Sequence, residues 1–214
     1  KRRFEYENGF YLTAPTSRIS KFATHMDLYR KVSGLPGEII ECGVFKGASL
    51  CRLIKFRDLF DNKFAKKIIG FDTFGPFPEA DFGPDKAVRQ RFIDEAGETS
   101  ITVEKLEELL TANGLNENVE LVAGNLLETA PDYIEAHQQL KISLLHIDVD
   151  LYEPTKIALE CFFPLVVRGG IVILDDYGAF PGSNAAIDEY LENTGIVVQK
   201  LPYSNAISYV EIPR

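Results

Sequence analysis

Apolar residues fall along this chain in two rhythms. Short, nearly uninterrupted apolar runs at residues 38–42, 68–72, 119–123, 143–148 and 171–175 read as strands covered on both faces. Between them lie stretches of helical period. Residues 16–32 carry Ile19, Phe22, Met26 and Tyr29 at helical spacing, which predicts one core-facing side. Residues 47–60 predict a second helix. Residues 102–113 place Leu106, Leu109 and Leu110 on one face and end at the stop signal Asn113-Gly114. Further helices are predicted over 130–140, 153–166 and 183–193, with Pro154 acceptable in a first turn and Pro164 ending or bending its helix. Residues 197–201 and 206–212 predict an antiparallel edge. Strand and helix in alternation imply an α/β domain, a doubly wound, mostly parallel seven-stranded sheet with helices on both faces, preceded by an N-terminal helical segment over 1–33.

One segment breaks the rhythm. Thr73 to Asp85 (TFGPFPEADFGPD) mixes prolines and glycines, which exclude regular structure, with Phe74, Phe77 and Phe82, which favour burial. A long loop inside a compact domain is usually functional. Its place after the second strand makes residues 73–99 a candidate lid over a bound ligand.

Composition narrows the function. The 214 residues suffice for one well-buried core, so a single domain over 1–214 is expected. A net charge of -9 argues against a nucleic-acid surface, and Lys63, Lys66 and Lys67 read as a solvated face. No apolar run approaches a membrane span and no signal peptide is evident. Cys42, Cys51 and Cys161 are odd in number and scattered, as buried thiols of a reducing compartment would be. A cytoplasmic protein is expected, with a homodimer as a candidate assembly.

The chemistry concentrates where the strands end. Asp148 and Asp150 follow one apolar run, and Asp175 and Asp176 follow the next. Ligands of parallel sheets bind outside the carboxyl ends of the strands, so neighbouring strands would bring four carboxylates to one mouth. Such crowding raises carboxyl pKa values unless a cation neutralises it, and oxygen-only donors suit Mg²⁺, Mn²⁺ or Ca²⁺. Upstream, Glu41-Cys-Gly-Val-Phe-Lys-Gly-Ala-Ser49 runs from strand to helix. Gly43 and Gly47 permit a tight turn and close approach of a ligand, and Ser49 can donate to an anionic group at the helix start. Phe45 stands where a dinucleotide fingerprint needs its second glycine, so a carboxylate suits the turn better than a pyrophosphate. Asp72 ends the second strand, placed to accept ribose hydroxyls, and Gly124-Asn125 ends the third, where an adenine would lie.

The blocks ECGVFKGAS, GFDTFGPFPE, IDVDLYEPT and GGIVILDDYG resemble the macrocin O-methyltransferase family, class I enzymes that use S-adenosylmethionine (SAM) and Mg²⁺ to methylate sugar hydroxyls. The resemblance covers about residues 30–195. It implies a Rossmann-like methyltransferase fold, with Glu41, Gly43 and Ser49 around the methionine end of SAM, Asp72 at its ribose, and Gly124, Asn125 and Asp148 also on the cofactor. It further implies Asp148, Asp175 and Asp176 as ligands of Mg²⁺ (or Mn²⁺), Asp150 as general base, and a small-molecule hydroxyl, expected to be a sugar's, as acceptor. Two departures stand out. Members usually carry Trp-Arg where this chain has Phe45-Lys46, and a Cys after the DDY block where it has Gly182-Ser183-Asn184. The rival readings are a metal-dependent catechol-type methyltransferase, a nucleotide-binding oxidoreductase and a non-catalytic SAM-binding domain. His146 reads as a satisfied core histidine, and His25 and His137 carry no signal.

Overall fold

The structure is a computed structural model that describes residues 2–213. Two helices, α1 (Arg3–Thr13) and α2 (Thr16–Val32), lead into β1 (Glu38–Cys42), α3 (Ala48–Phe60) and β2 (Ile68–Asp72). Then come α4 (Asp85–Ala96), α5 (Val103–Ala112), β3 (Val119–Ala123), α6 (Leu126–Ala136) and β4 (Ile142–Ile147). The chain closes with α7 (Tyr152–Phe162), β5 (Val166–Leu174), α8 (Pro181–Leu191) and β6 (Ser208–Glu211). The strands lie in the order β3-β2-β1-β4-β5-β6, parallel except for the last.

Strand pleating sorts the side chains into two cores. Ile40, Cys42, Leu145, Ile147, Val172 and Leu174 face α6, α7 and α8. Ile39, Leu144, Ile171 and Ile173 face α2, α3 and α5. The same alternation sends Glu41 and His146, paired across β1 and β4, towards the α2 side.

Several expectations are corrected. The sheet has six strands among the described residues. Residues 197–201 contribute one isolated bridge, Gln199 with Tyr209. The next rung is blocked because the Leu201 carbonyl accepts from Ser204 N–H and the Ile207 carbonyl accepts from the Ser204 hydroxyl. The helix expected at 130 begins at Leu126, because Asn125 Oδ1 accepts the Leu127 N–H and caps it, and Pro131 is carried inside. β5 starts at Val166, running through Gly169-Gly170 with β6-side bonds to Ile212. Ile19 and Phe22 remain exposed; Tyr29 is buried as expected, and α2 also buries Thr24, His25, Leu28 and Val32. Lys66 is buried, its ammonium donating to the Val32 carbonyl at 2.7 Å, so it is not part of a solvated face. Among the described residues no helix is long and apolar enough to cross a membrane.

Candidate active site

Strand order reverses between β1 and β4, and the crevice beyond their carboxyl ends is where such sheets bind ligands. Gly43, just past β1, has φ +93, and a Cβ there would lie 1.8 Å from the backbone oxygen of Asp148. Only glycine lets the two loops touch. The following turn is built around Asp72. Its Oδ2 accepts the Val44 and Phe45 N–H groups at 2.9 and 2.8 Å, and its Oδ1 accepts the Phe74 N–H at 2.8 Å. Phe45 and Phe74 both sit at φ +49, a conformation that costs a non-glycine residue roughly 1–2 kcal/mol, and the carboxylate holds both. Asp72 therefore organises the turn first, with little of its acceptor capacity left for a ribose. α3 then starts without a side-chain cap, leaving its first N–H groups free for an anion.

A cavity of about 520 Å³ opens over these elements, a size that suits a cofactor with its substrate. Gly43, Ser49, Asp72, Gly124, Asn125, Asp148 and Asp150 all line it. Phe77, Pro78 and Phe92 of the segment 73–99 form its opposite wall, Phe92 lying 5.2 Å from Phe77 and 5.5 Å from Phe45 between ring centres. Glu41 does not line the cavity. It is fully buried on the α2 side of β1, with Oε1 2.9 Å from His146 Nδ1, so the pleat turns it away from the expected methionine end.

The four acids divide into two groups. Oxygens of Asp148, Asp150 and Asp176 lie within 4.8 Å of one another. Asp150, at φ +62, donates its N–H to Asp176 Oδ2 at 2.8 Å. Burial raises all three carboxyls, and mutual repulsion adds to it. Asp148 is pushed to about 6, Asp150 to about 7, and Asp176 well above the ordinary range. Hard-oxygen donors that hold on to protons near neutrality fit a divalent cation.

Asp175 faces the other way. Its Oδ2 accepts from the Lys21 ammonium at 2.6 Å, and its Oδ1 faces His25 Nε2 at 3.5 Å and His146 Nε2 at 3.6 Å. The expected set of Asp148, Asp175 and Asp176 is thus not preassembled, because adjacent residues at a strand end point to opposite faces. Burial alone would raise the Asp175 carboxyl, but the facing His146 and His25 imidazoles and the Lys21 charge hold it well below the usual range. Arg52 Nη1 lies 2.7 Å from His25 Nδ1, and a guanidinium can only donate. His25 Nε2 therefore carries the hydrogen and points it at Asp175. Burial depresses His25 to about 3. His146 also loses from burial, yet the facing Asp175 carboxylate and the bond to Glu41 hold it at about 10. Lys21, 3.7 Å from Asp148 as well, is raised despite burial by its acidic neighbours.

Lys21 and His25 escaped the sequence reading. Their spacing of four residues was the available signal, since it puts both on one helix face. His146 is a buried core histidine as expected, although it belongs to this charged network.

Residues 14–201 match the profile of the family described as macrocin-O-methyltransferase (TylF). Over 166 residues, 76% of this chain and 61% of the relative, the chain is 28% identical to the 8-demethyl-8-(2,3-dimethoxy-alpha-L-rhamnosyl)-tetracenomycin-C 4'-O-methyltransferase of Streptomyces olivaceus. It is 30% identical over 168 residues to the demethyldecarbamoylnovobiocin O-methyltransferase of Streptomyces niveus, covering 74% of this chain and 59% of that one. The chain thus spans about three fifths of the length of these curated relatives. The crystal structure of CalS11, a calicheamicin methyltransferase, superposes with a TM-score of 0.79 at 29% identity, over 97% of this chain and 84% of that one. With the glycine turn, the paired acids and the crevice between them all in place, the chain belongs to the macrocin O-methyltransferase family.

Proposed function

We propose that this chain transfers the methyl group of SAM to a hydroxyl of a sugar or glycosylated small molecule, with a divalent cation at the acids. One observation carries the reading: a single cavity runs from the Gly43–Ser49 turn, suited to the amino-acid end of SAM, to Asp148 and Asp150. Of the relatives named above, the Streptomyces olivaceus enzyme is by name a methyltransferase of a rhamnosyl-bearing compound, which supports a sugar acceptor. SAM supplies an activated methyl group, and the cation, when bound, supplies charge that draws in and acidifies a hydroxyl.

The chain's own residues do the rest. The uncapped start of α3, with Ser49, receives the carboxylate end of SAM. Asp148 and Asp176 hold the cation, and Asp175 joins them once the Lys21 ammonium yields its place. Asp150, beside the cation and not among its ligands, takes the acceptor proton as general base. Phe77 and Phe92 exclude water and keep the two reactants aligned, a contribution of several kcal/mol in well-oriented reactions.

The test combines purified protein, SAM, Mg²⁺ and a panel of rhamnosylated acceptors and nucleotide-linked sugars, with S-adenosylhomocysteine release as readout. Release that needs both acceptor and Mg²⁺ and stops with EDTA is expected. No calorimetric binding of S-adenosylhomocysteine, or turnover undiminished in chelator, would overturn the reading. Turnover of catechols alone would move the acceptor to phenols.

A further inference from the structure

α7 and α8 start directly after the two acid pairs, at Tyr152 and Pro181. Their N-cap residues, Leu151 and Phe180, offer no side-chain acceptor, so first-turn N–H groups need another partner. One carboxylate serves both helices. Asp85, the first residue of α4, accepts the Tyr152 N–H through Oδ2 at 2.9 Å and the Gly182 N–H through Oδ1 at 2.8 Å. Asp85 is fully buried, and among the described residues no basic side chain lies within salt-bridge distance of it. A buried charge is costly unless hydrogen bonded, and the positive ends of two helices are what compensates it here.

The fit leaves no slack. A Cβ on Gly182 would lie 1.9 Å from Asp85 Oδ2, so the carboxylate occupies the space where any other side chain would begin. The same lid segment grips α7 twice more. Phe82 N–H donates to Glu153 Oε1 at 3.0 Å, and the Phe82 ring stacks on Tyr152 at 5.0 Å.

We infer that Asp85 is a positioning residue, a lock that fixes segment 73–99 and both acid-bearing loops in one arrangement. Asp150 lies two residues before the Tyr152 amide, and Asp176 lies six before the Gly182 amide. When the lock is made, the aromatic wall of the cavity and the acids at its far end are set together. When it opens, all three move. The consequence for turnover rests on the methyl-transfer reading above, whereas the lock itself does not.

The test attacks the contact from both sides. Asp85→Asn keeps the shape but turns a donor onto one of the two N–H groups. Gly182→Ala leaves the carboxylate intact and displaces it with a methyl group. Hydrogen exchange by mass spectrometry, S-adenosylhomocysteine calorimetry and steady-state kinetics are compared for both variants and their combination. Each single variant should speed exchange at least about fivefold in the lid and in both acid loops, as loss of a shared cap predicts. Because misplacing a reacting group by an ångström costs on the order of 10²-fold, kcat should fall about 10–100-fold with KM changed less. The double variant should be no worse than the poorer single one, the mark of one shared contact. Faster exchange confined to the lid, effects that add, or a loss carried by KM alone would each overturn the lock. If wild-type protein methylates none of the acceptors, the methyl-transfer reading fails and the exchange data still decide the lock.

Discussion

Cation binding should release a countable proton. Asp148 and Asp150 are held at about 6 and about 7 by burial and repulsion, and a divalent cation held by Asp148 next to Asp150 would drive off the protons both carry. At pH 6.5 the two carboxyls together hold about one proton, and at pH 8 about a tenth of one. Linkage then makes Mg²⁺ affinity rise about fivefold between those pH values, before any addition from Asp176. Calorimetric titration with Mg²⁺ in buffers of different ionisation enthalpy counts the proton directly. The same groups set the stability of the cation-free protein. A carboxyl raised in the folded state keeps a proton that the unfolded chain has already lost, so stability falls as pH rises through the folded value. His146, held at about 10, acts in the same direction above pH 6.5, because the unfolded chain loses that proton first. His25, depressed to about 3, acts oppositely, but only below pH 6.5. The melting temperature without cation should therefore drop from pH 6.5 to pH 8, and Mg²⁺ should restore it. Affinity that is flat with pH and no proton release would refute a cation held by Asp148 beside Asp150.

Two substitutions separate the roles of the remaining groups. Asp150→Asn keeps the shape of the side chain and cannot accept a proton, so turnover should fall about 10²–10⁴-fold while calorimetric S-adenosylhomocysteine affinity holds; near-normal turnover would remove Asp150 as the base. Lys21→Met removes the ammonium that sits 2.6 Å from Asp175, and terbium luminescence should report cation affinity raised about tenfold, as loss of a partly buried like charge implies. Unchanged affinity would mean that Asp175 stays outside the cation site.

Much of this was legible in the residues because short apolar runs leave little freedom. β1, β2 and β3 fall where their runs begin and end, and the acids after β4 and β5 meet at one mouth because parallel strands must. The chain hides what depends on distant partners. Asp85 bonds amides 67 and 97 residues away, and nothing local marks it. α2 was legible only towards its end, where Tyr29 is buried and Met26 packs against the core; nearer its start Ile19 and Phe22 are exposed, and the polar Thr24 and His25 are buried. Lys66 and Arg57 look solvated by composition, yet carbonyls of Val32, Glu117 and Asn118 receive their protons in the interior. Asp175 and Asp176 read alike as neighbours, and only the pleat tells them apart.

The ion pair between Lys21 and Asp175 joins residues 154 positions apart and so makes the acidic end of the cavity a discontinuous heritable unit. A chimaera that takes its first helices from a family member without a basic residue at the place of Lys21 would leave the Asp175 carboxylate without the ammonium that neutralises it. Recombination with a breakpoint between α2 and β1 should thus fail more often than its tidy loop suggests. Exchange of segments between relatives should therefore move α2 together with β4 and β5 as a single block, so that the ammonium and its carboxylate travel together.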